Sequence, residues 1–145
     1  VLLEPGRSIV ANAGLTLYRV GGIKTIEGYR SYVTVNGGMT DNPRYALYKA
    51  PYTVVPASRM NDARDLTCTV AGRCCESGDL IQENIQLPEM QRDDLLAVLT
   101  TGAYNFTMAS NYNRLCRPAL VMVHHGRARL AVRRQTFADL VACDL

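Results

Sequence analysis

Short runs rich in valine, isoleucine, threonine and tyrosine, cut by glycine-bearing turns every dozen residues or so, leave this chain little scope for long helices. The pattern predicts a mostly β domain with short helices between strands. Leu15 to Lys24 alternates in part as a strand, Tyr32 to Val35 forms a second, and Gly37-Gly38 stops it. Asp41-Asn42-Pro43 then reads as a helix start, with proline near the first helical position. Further strands are expected at Tyr52 to Val55, at Leu66 to Gly72 with a continuation over Leu80 to Leu87, and at Leu95 to Leu99. A short helix is expected across Tyr104 to Ser110.

The last quarter reads as a hairpin: Leu120 to Val123, a turn over His124-His125-Gly126, and a return over Arg127 to Arg133. In the return strand Ala128, Leu130 and Val132 fall on one face and Arg127, Arg129, Ala131 and Arg133 on the other, which makes the arginine stripe a solvated sheet face.

At 145 residues, 48% hydrophobic and 20% charged, the chain has the make-up of one globular domain able to bury a core. No apolar run approaches the roughly 18 residues needed to cross a bilayer, and the N-terminus lacks the basic flank and cleavage site of a secretory signal. A soluble protein, without a membrane partner, is the expectation. Five cysteines form no C-x-x-C pair, and the adjacent Cys74 and Cys75 are poorly placed to bridge each other, so a reducing cytoplasm fits. Of the 16 basic residues 14 are arginine, which suits two-pronged recognition of carboxylate or phosphate; an arginine-biased genome explains the excess equally well.

One segment reads as a chemical site. In Gly72-Arg73-Cys74-Cys75-Glu76-Ser77-Gly78-Asp79 a thiol is followed at once by a carboxylate and a glycine turn, at the end of an apolar strand. A thiol that must give or take a proton needs partial exposure and a polar neighbour. Glu4-Pro5-Gly6-Arg7 and Thr101-Gly102-Ala103-Tyr104-Asn105 are similar polar, glycine-bearing strand ends. His124 and His125, neighbours in a turn, diverge rather than chelate, and no metal is assigned.

These segments, with Ser8-Ile9-Val10-Ala11, Asn111-Tyr112-Asn113 and Arg117-Pro118-Ala119, stand in one order over nearly the whole chain. In that order the chain resembles the C-terminal part of the diaminopimelate decarboxylase family, which groups with alanine racemases and ornithine decarboxylases. The resemblance implies pyridoxal 5'-phosphate held on a (β/α)8 barrel that is joined to a C-terminal β-sandwich or Greek-key barrel domain. It also implies a cytoplasmic homodimer with shared active sites. The expected reaction is decarboxylation of meso-2,6-diaminopimelate to L-lysine and carbon dioxide.

By the same resemblance, Glu4 sits against the pyridine nitrogen of the cofactor, with Pro5, Gly6, Arg7 and Tyr104 also at the cofactor. Arg7 and Tyr104 reach the substrate as well. Arg44 and Tyr48, spaced to share a helix face, hold the carboxylate far from the reaction. Cys75 is the acid that protonates the carbon losing carbon dioxide, and Glu76 binds the distal ammonium, both supplied across the dimer interface. The plainer alternatives are a surface arginine with a packed tyrosine at Arg44 and Tyr48, core packing at Tyr104, and a small buried hydrophobe at Cys75. Cys74, on the opposite face if the strand persists, is given a structural role.

Departures from the family pattern are informative. The family needs a Schiff-base lysine, and the two lysines here, Lys24 and Lys49, match no family motif. Residues 1–14 are therefore expected to be the end of a missing barrel and 15–145 the β domain, a piece that is inactive without the N-terminal part. Arg73 and Tyr45 stand where the family often has proline, which weakens inference about substrate preference. Two alternatives stay open: a decarboxylase for another basic amino acid or a carboxylated polyamine, and a noncatalytic module whose Arg127, Arg129, Arg133 and Arg134 contact nucleic acid. The second ranks lower, because the stripe lacks the interleaved aromatics that stack on bases.

Overall fold

Val33 and Val35, Cys68 and Val70, and Leu96 and Val98 are pairs at alternate positions, and every one of them is buried. Period-2 alternation puts each pair on one face of an extended segment, and burying those faces together makes the core. In the computed structural model, which describes residues 1–145, these pairs lie on three strands of one sheet.

The strands are β1 (Leu15–Ile26), β2 (Arg30–Val35), β3 (Val54–Pro56), β4 (Leu66–Ala71), β5 (Leu80–Leu87) and β6 (Leu95–Leu99), in the order β3-β6-β1-β2-β4-β5. Neighbours are antiparallel except β2 and β4, which run parallel. β1 pairs with β6 along its first half and with β2 along its second. Between the halves the register slips, because Val20 faces Val35 while Gly22 faces Thr34, leaving Gly21 as an extra residue. Such a bulge bends the strand and lets the sheet curl. The outer strands β3 and β5 come into contact, and the Tyr52 amide just before β3 donates to Gln82 Oε1 of β5 at 2.8 Å, so the sheet is a nearly closed barrel.

The core joins Tyr18 and Val20 of β1 to Val54, Ile81, Leu87 and the strand pairs above. Two short helices flank the sheet, α1 (Gly6–Val10) before β1 and α2 (Arg44–Tyr48) between β2 and β3. Pro43 precedes α2, as the Asp41-Asn42-Pro43 signal predicts.

Three elements differ from the sequence expectation. Leu80 to Leu87 does not continue the strand at Leu66 but returns antiparallel beside it, because the chain reverses in the loop at residues 72–79. Only one 3-10 turn, Phe106–Met108, forms where a helix over Tyr104 to Ser110 is expected. A third helix, α3 (Phe137–Leu140), was not foreseen, although its capping box is a readable signal: Thr136 Oγ1 accepts from the Asp139 amide while the Asp139 carboxylate accepts from the Thr136 amide.

The C-terminal hairpin forms as expected from β7 (Leu120–His124) and β8 (Arg127–Val132), closed by His125 at φ 46° and Gly126 at φ 71°. Two successive residues with positive φ match the twist of a hairpin. Every residue of β8 is exposed, so the Leu130 and Val132 face is as open as the arginine face. Arg133, just after β8, is bound through both terminal nitrogens to Asp139, at 2.6 and 2.7 Å, tying the hairpin to α3. That contact, with the Thr136 hydrogen bonds, holds the Asp139 carboxyl well below the usual carboxylate range.

Leu96 is fully buried in β6, between β1 and β3. Leu96→Ala is expected to cost this chain about 2–5 kcal/mol of stability by urea unfolding. A loss within the ~0.5 kcal/mol typical of surface positions would contradict its place in the core.

Candidate active site

The turn after β6 brings distant segments together. Gly102 donates its amide to Ala11 O at 3.0 Å, and Thr101 donates to Gly14 O at 3.0 Å, which fastens the N-terminal segment beside Tyr104. A Cβ on Gly6 would overlap the Tyr104 hydroxyl, so glycine lets the two segments meet this closely without displacing the ring. Tyr104 itself sits at φ 61°, a conformation that costs a non-glycine residue strain and that clusters at functional sites.

Around Tyr104 lie two guanidinium groups stacked on rings. Arg44 lies 5.4 Å from the Tyr48 ring centre and 5.5 Å from that of Tyr104, and Arg7 lies 5.5 Å from that of Tyr52. Arg44 and Tyr48 do share a face of α2. Aromatic faces stabilise a cation without neutralising it, so both arginines keep their charge for an anionic ligand. Tyr52 OH donates to Asn105 Oδ1 at 3.2 Å, and both residues are buried. Arg44 Nε and Asn105 Nδ2 are buried donors without a hydrogen-bond partner, an arrangement that favours an added acceptor. Glu4 is exposed, and its carboxylate makes no ion pair.

α2 has five residues and needs an anchor to present Arg44. Buried Tyr45 supplies it, donating its hydroxyl to Glu83 Oε2 at 2.5 Å, while Arg30 Nη1 pairs with Glu83 Oε1 at 2.7 Å. The Tyr45 hydroxyl and the Arg30 guanidinium lower the Glu83 carboxyl below its ordinary value. Burial, then the bond to Glu83, pushes Tyr45 up to about 12. Tyr45 is thus the tether of the helix that carries Arg44. Nothing local in the sequence marked it, because its partner lies 38 residues away. Tyr52 and Glu83 were missed for the same reason. Asn105 was legible only as part of its motif.

The thiol segment forms a second cluster. β4 ends at Ala71, so Cys74 and Cys75 lie in a loop and strand alternation does not govern them. The reversal at Gly72 breaks the strand, and the two thiols differ through their contacts instead: Cys75 is exposed and Cys74 half-buried. The Cys75 amide donates to Asn113 Oδ1 at 3.0 Å, and Tyr112 OH reaches Glu76 Oε2 at 3.5 Å. Burial and then the neighbouring Asp79 push the Cys74 thiol up to about 11.

Within one chain, therefore, Gly6, Arg7, Arg44, Tyr48 and Tyr104 gather in one cluster, and Cys75 and Glu76 in another. No hydrogen bond, ion pair or cation–ring contact joins Cys75 or Glu76 directly to the first group. The first cluster is equipped to hold an anionic, flat ligand; the second offers a thiol and a carboxylate side by side.

Comparison with known proteins gives consistent matches. The family profile described as "Pyridoxal-dependent decarboxylase, C-terminal sheet domain" matches residues 8–102. The diaminopimelate decarboxylase of Bacillus subtilis (strain 168) is 53% identical over the whole chain, which covers 33% of that relative. That of Synechocystis sp. is 50% identical over 99% of the chain and 31% of the relative. Among solved structures, the diaminopimelate decarboxylase of M. jannaschii in complex with L-lysine superposes with a TM-score of 0.90 at 35% identity, covering 99% of this chain and 32% of that one. The chain spans about a third of the length of the curated relatives it matches.

Cys74 and Tyr45 hold their protons more tightly folded, at about 11 and about 12, than at their ordinary values of 9.0 and 10.0. Their contribution to stability is complete below the ordinary values and is lost as pH rises through the folded ones. The urea midpoint should therefore fall between about pH 9 and pH 12. A flat midpoint across that window would rule out both proton-holding contacts.

Proposed function

This chain belongs to the pyridoxal-dependent decarboxylase family, as its C-terminal sheet domain, and on that footing we propose that it is the C-terminal part of a diaminopimelate decarboxylase. The complete enzyme removes carbon dioxide from meso-2,6-diaminopimelate to give L-lysine. The observation that carries the reading is the meeting of Gly6 and Arg7, from the start of the chain, with Arg44, Tyr48 and Tyr104 in one cluster.

Pyridoxal phosphate, when bound, supplies a cationic ring that accepts the electrons left behind by a departing carboxylate. Its fit here rests on the orphaned Asn105 Nδ2 beside Tyr104 and on the uncompensated charge of Arg7, while the orphaned Arg44 Nε is left for the substrate. Glu4, exposed and free of any ion pair, would keep the pyridine nitrogen protonated, since a carboxylate beside it stabilises the cation. Pro5 and Gly6 would let the backbone approach the cofactor, and Arg7 and Tyr104 would contact both cofactor and substrate. Arg44, oriented by Tyr45 and Glu83, grips the far carboxylate of the substrate with two parallel hydrogen bonds, and Tyr48 adds a third donor. Cys75 delivers a proton to the carbon that has lost its carboxylate, and Glu76 pairs with the distal ammonium.

The separation of the Cys75–Glu76 loop from the Tyr104 cluster supports a homodimer in which each loop completes the partner's site. The anchoring lysine comes from an N-terminal barrel, of which residues 1–14 form the end and after which 15–145 form the β domain. Lys49 is engaged with Glu83 and the Tyr45 ring, and Lys24 is exposed on β1, which suits neither to that role. All five cysteines are free, two of them exposed, which favours a cytoplasmic location. No helix is long and apolar enough to cross a membrane.

In the complete enzyme, Cys75→Ala is expected to lower kcat by about 10²–10⁴-fold, the usual worth of a general acid, with the cofactor's absorption spectrum retained. Unchanged turnover would remove its role as proton donor. In a competition assay diaminopimelate should be consumed ahead of ornithine and arginine; preference for either would replace the substrate assignment with that of another basic amino acid.

A further inference from the structure

Asp79 is the last residue of the thiol loop and is almost fully buried, 3% exposed, with no cation paired to it. A carboxylate in such a place is costly unless several donors face it. Here its two oxygens are divided between two segments. Oδ2 accepts from the Cys74 amide at 2.7 Å, and Oδ1 accepts from the Met39 amide at 2.6 Å. The main chain repeats the link: Gly72 donates to Asp79 O at 2.8 Å, Asp79 donates to Glu76 O at 3.1 Å, and Arg73 donates to Gly37 O at 3.1 Å.

The space around the carboxylate is shaped for it. A Cβ on either Gly38 or Gly72 would overlap the carboxylate, so both positions require glycine. The neighbouring amide, Gly38, donates to Asp41, which also accepts from Tyr18 OH. Adjacent amides therefore serve two carboxylates, buried Asp79 and half-buried Asp41, and the backbone helps to fix both. The Cys74 thiol is half-buried, whereas Cys75 is exposed to solvent with its amide fixed by Asn113.

We propose that Asp79 is a positioning residue that clamps the 72–79 loop to the 37–39 turn, holding Cys74 half-buried and leaving Cys75 as the exposed thiol of the pair, free to meet a ligand. Its meaning for catalysis rests on the reading of Cys75 as proton donor, but the clamp and the division between the thiols are properties of this chain alone. Two adjacent thiols of equal freedom would offer a substrate two competing proton sources. The clamp removes one.

The test is competitive alkylation of this chain with iodoacetamide, each cysteine quantified by peptide mass spectrometry. Cys75 should be modified well ahead of Cys74. In Asp79→Asn, which keeps the shape but loses the charge and one acceptor, the Cys74 rate relative to Cys75 should rise severalfold as the loosened loop exposes the Cys74 thiol, while the thermal transition persists. A folded Asp79→Asn chain with unchanged selectivity would overturn the proposal. Should that variant not fold, amide hydrogen exchange on the unsubstituted chain decides: the Cys74 and Met39 amides should exchange far more slowly than the free Ser77 amide, and equal rates would refute the clamp. Failure of Cys75→Ala to affect turnover in the complete enzyme would sink the proton-donor reading without altering these ratios, so the two outcomes are separable.

Discussion

The bulge at Gly21 lets one strand serve two partners, and the arrangement of the whole domain follows from it. Along its first half β1 is zipped to β6, which sets the Tyr104 turn against the segment entering β1. Along its second half β1 is zipped to β2, and β2 in turn lies parallel to β4, whose end opens into the thiol loop. Both candidate clusters therefore hang from the same twelve-residue strand, one from each half. A flat strand with a single register would have held both pairings in one plane, and β3 and β5 would not have met to close the sheet.

Charge is handled by two different devices in this domain. Carboxylates in and beside the interior are satisfied by main-chain amides and a tyrosine hydroxyl, as at buried Asp79 and half-buried Asp41, so the backbone largely fixes their positions. The cations Arg7 and Arg44 are instead laid against aromatic rings, which steadies them without cancelling their charge. Glu83 stands between these modes, binding a tyrosine hydroxyl and a guanidinium together, and through Tyr45 it steadies the short helix that carries Arg44. The result is a surface on which positive charge is available and negative charge is largely consumed by structure. Among the carboxylates left exposed and free of ion pairs, Glu4 and Glu76 stand in motifs that point to ligand chemistry.

Much of this was legible because it is local. The period-2 valines, the turn at Gly37-Gly38, the proline before α2 and the hairpin at His125-Gly126 are each set by a few neighbouring residues, and each stands where sequence reasoning put it. The i, i+4 spacing of Arg44 and Tyr48 likewise becomes a real contact once a single helical turn forms. Where expectation failed, the cause was a competing local device or a distant partner. Leu80 to Leu87 is apolar enough to look like a continuation, yet the reversal at Gly72 turns it back beside β4. The arginine stripe of the hairpin is solvated as expected, and the opposite face of that strand is open as well, since burial depends on what lies opposite.

By itself, then, the order of residues determined the β character, most strand positions and the motifs that carry the family resemblance, since propensity, alternation and turn chemistry act over a few residues at a time. Only the tertiary structure decided that Gly6 touches Tyr104, that Tyr45 is tethered by Glu83, and that Cys74 and Cys75, neighbours in the chain, have opposite surroundings. Those outcomes depend on contacts between segments dozens of residues apart, whose meeting is set by sheet register and curl rather than by any local pattern.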